Sequence, residues 1–171
     1  VLESLEDRQS GVRDKVFLRE YKWENSAITP EQRAEKYNQK SALVLVTGAK
    51  DSPRKKIAKA VEKKLFDEGK VVYYLSIGNV LYGVDADIKS SAGNKRKEHF
   101  RRLAEISNIM LDAGVILLVT AQEMNREDLE IMKTVIGTEN IEVVWVGERV
   151  NTNISCGLQI TDTDNEKNSV N

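Results

Sequence analysis

The sequence has few of the residues that hold metals or form disulfides. It contains one cysteine, Cys156, and one histidine, His99, in 171 residues. A single cysteine cannot form a disulfide within the chain, and these two residues do not supply the ligand cluster of a structural zinc site. We therefore predict no disulfide and no metal centre. His99 is expected at the surface or boundary of a helix, and neither residue is given a catalytic role.

Long apolar segments and a strong net charge are also missing. The longest apolar stretch, residues 115–121, is far shorter than the ~20 residues that cross a bilayer, and the first residues lack the apolar core of a signal peptide. Acidic and basic residues nearly cancel, with a formal net charge of -1, so no overall field attracts nucleic acid or membrane. We expect a cytoplasmic protein with neither partner. The chain begins at Val1 rather than methionine, from which we expect that it was cut from a longer polypeptide, such as a fusion, or was processed.

The length of 171 residues is typical of one domain. Residues 1–40 are polar and are predicted to be a lead-in with one short helix, which Thr29 caps and Pro30 begins. Residues 41–150 are predicted to form an α/β domain. Residues 151–171 are predicted to be a polar tail, disordered from Thr161 onward.

The pattern of residues 41–150 alternates between strands and helices. Continuous apolar runs at residues 42–46, 71–75 and 115–119 are typical of strands buried on both faces of a parallel sheet, and residues 141–146 are predicted to be a fourth strand. Amphipathic patterns predict helices over residues 53–68, over residues 95–112 and from Asn125 onward. This alternation implies right-handed crossovers and a three-layer α/β/α fold with a parallel sheet.

Ligands of such sheets bind at the loops that follow the strands, and the first loop is the most informative. A phosphate-binding loop has the pattern Gly-x-x-x-x-Gly-Lys-[Ser/Thr], and in that register Gly48 alone is present. Pro53 replaces the second glycine, Arg54 the lysine and Lys55 the hydroxyl residue. Proline removes one backbone donor. The residue before it, Asp51 or Ser52, is predicted to cap the helix and to take the N–H groups that a phosphate would need.

Two interpretations of this loop stay open. Lys50, Arg54, Lys55 and Lys56 form a basic cluster at a helix N-terminus that could attract sulfate or phosphate, whereas Asp51 would repel an anion. The other interpretation is an ordinary solvated helix start, and the sequence favours it.

Over residues 23–146 the sequence resembles the adenylylsulfate kinase family, which has the P-loop kinase fold and transfers a phosphate from ATP to the 3′-hydroxyl of adenylylsulfate. Trp23, Thr29 and Arg33 of the lead-in carry the resemblance, together with residues 57–69, 101–106 and 112–116. Most of these are core positions, so they bear on fold more than on activity.

The positions that the resemblance identifies as functional differ from the family. After the second strand the family has Leu-Asp-Gly-Asp-Asn-Val-Arg, with acids for the hydroxyl and magnesium and an arginine for the substrate. Here Ser76 and Gly78 replace the two acids and Leu81 replaces the arginine, while Asn79 is kept. No general base remains in this segment.

Three further positions complete the comparison with the family. The phenylalanine that stacks on adenine corresponds to Ser91, and Arg96 and Arg126 fall on family arginines. These two arginines are candidate anion-binding residues, with ordinary surface arginines as the alternative. The basic lid that follows the fourth strand in the family is not visible here.

Three functions therefore stay open. The first is a catalytically impaired, kinase-like domain without a cofactor, acting as a binding, regulatory or structural module linked to sulfate activation. The resemblance implies sulfate adenylyltransferase subunits or a fused GTPase domain as partners, and a homodimer. The second is an active adenylylsulfate or nucleotide kinase that uses ATP and magnesium with an atypical loop, and the third is a nucleotide sensor. The combined losses in the loop, the acids and the lid favour the first.

Overall fold

The computed structural model describes residues 5–88, 94–149 and 153–161. Six α-helices and five strands make up this part of the chain: α1 Leu5–Lys22, α2 Pro30–Tyr37, β1 Ala42–Gly48, α3 Arg54–Asp67, β2 Val72–Ser76, α4 Ile77–Leu81, α5 Asn94–Asp112, β3 Ile116–Thr120, α6 Arg126–Ile136, β4 Ile141–Val146 and β5 Leu158–Ile160. A 3-10 turn, Thr138–Asn140, leads into β4. Within the described residues, no helix combines the length and the apolar character that a membrane crossing needs.

The five strands form one parallel sheet in the order β2-β3-β1-β4-β5. Ala42 of β1 lies opposite Ile116 of β3, and Leu43 of β1 lies opposite Ile141 of β4. The predicted α/β class with a parallel sheet is confirmed. The predicted strands agree with the structure to within one or two residues at each end.

Successive residues of β1 point to opposite faces of the sheet, and both faces are covered. Leu43 and Leu45 belong to the main core with helices α5 and α6, where Phe100 and Trp145 are its largest fully buried side chains. Val46 belongs to a smaller core with Ala58 of α3. Apolar residues on both sides of β1 explain its uninterrupted apolar sequence.

Helix α1 is the main element that the sequence did not predict, since only one short helix was expected before residue 40. Val12 of α1 is buried at 5% exposure in the main core. Arg19 donates to Glu105 of α5 at 2.7 Å and to the carbonyl of Val135 at 3.2 Å. Tertiary contacts of this kind stabilise a helix whose own sequence is mostly polar.

Strand β5 lies within the segment predicted as a polar tail. It pairs with β4 in parallel, with Val144 opposite Leu158 and Val146 opposite Ile160. Ile154, in the connection between the two strands, is buried at 1% exposure. The sequence predicted a polar tail here and did not predict this strand; of the segment from Thr161 predicted to be disordered, residues 162–171 lie outside the described part.

Candidate functional site

The loops after β1 and β3 are joined at the carboxyl edge of the sheet. The hydroxyl of Thr47 accepts a hydrogen bond from the backbone N–H of Met124 at 3.1 Å, and the carbonyl of Gly48 accepts one from Glu123 at 2.8 Å. The hydroxyls of Tyr74 and Thr120 lie 3.1 Å apart at the ends of β2 and β3. These bonds bring the first loop into one site with its neighbours.

Gly48 is required here by the close approach of two strands. A side chain at this position would collide with the carbonyl oxygen of Val146 on β4. The glycine that the family pattern shares with this chain therefore has a packing reason that does not involve phosphate.

The side chain of Arg54 points into the first loop and hydrogen-bonds its backbone. Its Nη1 atom donates to the carbonyls of Ala49 at 3.1 Å and of Lys50 at 2.8 Å, and the residue is only 7% exposed. Burial lowers the pKa of the guanidinium, which nevertheless stays protonated at neutral pH. Its Nε atom is buried without a hydrogen-bond partner. The guanidinium is thus held by the backbone of the loop that would otherwise surround a phosphate.

The helix start differs from the prediction that Asp51 or Ser52 caps α3. The residue before the first helical turn is Pro53, with φ -76 and ψ 25, and no side chain caps the helix. The backbone N–H of Ser52 donates to Ala49 at 3.0 Å in a tight turn, and the carbonyl of Pro53 accepts the bond from Ile57 at 3.0 Å. Pro53 therefore occupies the N-cap position of α3, and the two predicted caps, Asp51 and Ser52, lie before that position.

The predicted basic cluster is divided by the structure. Lys50, Lys55 and Lys56 are exposed, whereas Arg54 points inward. Asp51 is also exposed. The three exposed lysines are accessible to an anion. Arg54, which stands at the lysine position of the phosphate-loop pattern, is not accessible.

The segment after β2 forms helix α4, where the sequence indicated a loop. Ser76 caps this helix, since its hydroxyl accepts a bond from the N–H of Gly78 at 3.4 Å. Asn79 is exposed and Leu81 is half-buried. None of these four residues carries a charge, so the segment holds no acid, no base and no cation.

The two candidate anion-binding arginines have different environments. Arg96 binds the carboxylate of Asp128 through two hydrogen bonds, of 2.7 and 3.1 Å, and lies 5.2 Å from the ring centre of Phe100. Arg126 is exposed, and its backbone N–H donates to Asn153 at 3.2 Å. Arg96 is thus already neutralised by an acid, which weakens the anion-binding prediction for it. Ser91, the counterpart of the family phenylalanine, lies outside the described residues.

Sequence analysis misplaced the histidine. His99 is 6% exposed, and its Nδ1 atom lies 2.6 Å from the carboxylate of Asp85, which is 1% exposed. The prediction of a surface or boundary position is wrong. A signal was available, because His99 precedes Leu103 and Ser107 by one and two helical turns on the buried face of α5.

A cavity of about 620 Å³ lies away from these loops. Its walls include Lys40, Ser41, Gly114 and Asn140, which precede strands rather than follow them. The cavity is therefore at the opposite edge of the sheet from the first loop.

Comparisons with known proteins agree with the fold. The family model described as adenylylsulphate kinase matches residues 40–167. The adenylyl-sulfate kinase of Staphylococcus epidermidis is 34% identical over 122 residues, which cover 71% of this chain and 61% of that protein. A "Bifunctional enzyme CysN/CysC" of Rhodopirellula baltica is 36% identical over 121 residues, which cover 71% of this chain and 18% of that protein.

One solved structure shows the same architecture. A mutant form of the APS kinase of Mycobacterium tuberculosis superposes with a TM-score of 0.66 at 24% sequence identity, over 77% of this chain and 94% of that one. The chain spans about three fifths of the length of the first curated kinases that it matches.

Proposed function

The chain belongs to the adenylylsulfate kinase family, and on that premise we propose that it is a non-catalytic member that acts as a binding module linked to sulfate activation. The observation that carries the proposal is the position of Arg54. Its guanidinium bonds the carbonyls of Ala49 and Lys50 inside the loop where family members would place phosphate.

The loop does not supply the hydrogen-bond donors that bind a nucleoside triphosphate. Such loops work by directing backbone N–H groups at phosphate oxygens, with a lysine on the phosphates and a hydroxyl on magnesium. Here Pro53 has no N–H, Arg54 is bonded to the loop backbone, and Lys55 stands where the hydroxyl would be. These residues do not fit a bound Mg·ATP, and we assign no reaction step to one.

The carboxylates and the arginine that the family uses after the second strand are missing as well. Ser76, Gly78 and Leu81 leave no carboxylate to accept the hydroxyl proton or to support magnesium, and no arginine for the substrate. The nearby acid with the deepest burial, Asp85, is bonded to His99. Phosphoryl transfer depends on positioning and charge neutralisation together. The missing groups and the occupied loop therefore both argue against catalysis.

The binding role rests on the exposed surface and on the relatives. Lys50, Lys55 and Lys56 form a basic surface beside the first loop. The relative named as a bifunctional enzyme places a similar segment within a much longer protein. We propose as partner a sulfate adenylyltransferase subunit or a fused GTPase domain, with self-association as a further arrangement.

The alternative function is an active kinase with an atypical loop. The names of the curated relatives favour it, since those proteins are called adenylyl-sulfate kinases. It would require Arg54 to leave its carbonyl partners when the nucleotide binds.

A coupled assay with ATP, magnesium and adenylylsulfate separates the two functions, with the Staphylococcus epidermidis kinase as the active control. We expect no turnover above the blank from this chain. We also expect Mg·ATP to leave its melting temperature unchanged, because a ligand that does not bind the native state cannot stabilise it. Turnover would establish the active kinase instead, and a saturable rise in melting temperature without turnover would show a domain that binds the nucleotide but does not react it.

A further inference from the structure

The only histidine of the chain is buried against a carboxylate, beside the site but not within its loops. The Nδ1 atom of His99 lies 2.6 Å from Oδ2 of Asp85, and the two side chains are 8% and 0% exposed. A separation this short is typical of a charge-assisted hydrogen bond. Histidine changes charge near neutral pH, so a proton alters this contact directly.

Other charged groups near the pair lie on two helices, α5 and α6. On α5, Nη1 of Arg102 lies 3.6 Å from Oδ1 of Asp85. This oxygen is buried and has no hydrogen-bond partner. Arg96, one turn before His99, is neutralised by Asp128 of α6. Among the described residues, His99 is therefore the group that hydrogen-bonds the Asp85 carboxylate.

Arg102 makes the second attachment between α5 and the segment of residues 82–88. It binds the carboxylate of Asp87 at 2.6 and 3.0 Å, the carbonyl of Val84 at 3.0 Å and, on its own helix, Glu98 at 3.0 Å. The hydrogen bonds from Arg102 hold the pKa of Asp87 below its ordinary value. This attachment keeps its charges throughout the range in which histidine titrates.

The segment of residues 82–88 has little apolar anchoring at its tip. Tyr82 is 90% exposed and Val84 is 56% exposed. The polar contacts of Asp85 and Asp87 with α5 therefore account for much of its attachment. The segment follows α4 at the carboxyl end of β2, so its position shapes one side of the candidate site.

We propose that the His99–Asp85 pair is a proton-dependent latch that holds residues 82–88 against α5. With the imidazole protonated, the pair is a buried ion pair. When the proton leaves, the carboxylate faces a neutral ring and loses that attraction, while it stays buried. The latch is thus closed while the imidazole is protonated and the carboxylate is ionised, and it weakens when the imidazole loses its proton. The proposal does not depend on whether the chain turns over ATP.

The test follows the full chain by NMR, where one histidine gives one set of imidazole signals. Backbone amide exchange of residues 82–88 is measured at several pH values and corrected for intrinsic exchange, with the β1 amides as internal reference. We expect protection of residues 82–88 to fall by about tenfold as the imidazole loses its proton, in step with the change of its own signals. Protection that stays constant while the imidazole signals change, or an imidazole whose signals do not change with pH, would overturn the latch.

Two variants sharpen the test. His99→Gln keeps a side-chain donor but cannot take up a proton, so we expect low protection of residues 82–88 at every pH measured. Lys95→Gln removes an exposed charge from the same helix and is expected to behave like the wild type. A His99→Gln protein that keeps the wild-type pH dependence would also overturn the proposal. The wild-type titration decides the question by itself if that variant does not fold.

Discussion

At the scale of single residues, Arg54 and Lys55 are neighbours in sequence with opposite environments. Arg54 is 7% exposed and bonded to the loop backbone, while Lys55 points into solvent. A guanidinium presents several donors in a planar fork and can serve two carbonyls at once, which an ammonium on a flexible stem does less well. The replacement of lysine by arginine at this position therefore changes the structure of the loop as well as its chemistry.

Changing Arg54→Met tests whether the guanidinium holds the loop. The variant keeps an apolar stem but leaves the carbonyls of Ala49 and Lys50 without their donor, so we expect the free energy of unfolding to fall by about 1–2 kcal/mol. Lys55→Met, in the same helical turn, is expected to change it by less than about 0.5 kcal/mol. Urea denaturation of both variants gives the comparison. Equal effects would show that the bonds of Arg54 do not stabilise the loop.

The sequence showed which residues were replaced, but not where the replacements point. The phosphate-loop pattern places Arg54 at the lysine position, yet the inward direction of its side chain depends on the turn that the preceding residues form. The burial of His99 likewise depends on Asp85, which lies fourteen residues earlier in the chain and outside helix α5. Contacts of this kind follow from tertiary packing, which local patterns do not describe.

At the scale of elements, α2 has the start that the sequence predicted. Thr29 accepts a hydrogen bond from the N–H of Gln32 at 3.2 Å, and the Gln32 side chain accepts one from the N–H of Thr29 at 2.9 Å. Pro30 occupies the first helical turn. Both bonds are local, which is why the residue pattern alone could predict them.

Changing Thr29→Ala removes the capping oxygen of α2. We expect it to lower the free energy of unfolding by about 1 kcal/mol, the usual cost of losing such a cap. Thr29→Ser keeps the hydroxyl and should stay close to the wild type. Thermal and urea denaturation of the three proteins measure the effect, and a Ser variant as unstable as the Ala variant would argue against the capping role.

The elements that the sequence missed depend on distant partners. Helix α1 is fixed through Arg19 to Glu105, which is 86 residues away. Strand β5 has three residues, two of them exposed, and is defined by its pairing with β4. By contrast, β1 and α3 carry their own apolar patterns, and the sequence predicted both.

At the scale of the whole molecule, the fold is set by a sheet with two buried faces. The apolar runs of β1, β3 and β4 and the helical stripes between them predicted a parallel sheet, and the strand order β2-β3-β1-β4-β5 agrees with that class. The order itself was not predicted, because buried parallel strands have similar sequences. The carboxyl edge stays the place where we expect a site, since parallel strands bring their following loops together.

The central claim is that the first loop of this chain is closed to nucleotide by its own residues. Calorimetric titration with Mg·ATP tests it most directly, on the wild type and on a variant that restores the family pattern through Asp51→Ala, Pro53→Gly, Arg54→Lys and Lys55→Ser. We predict no heat of binding from the wild type and a saturable heat from the variant. A saturable heat from the wild type would contradict the claim.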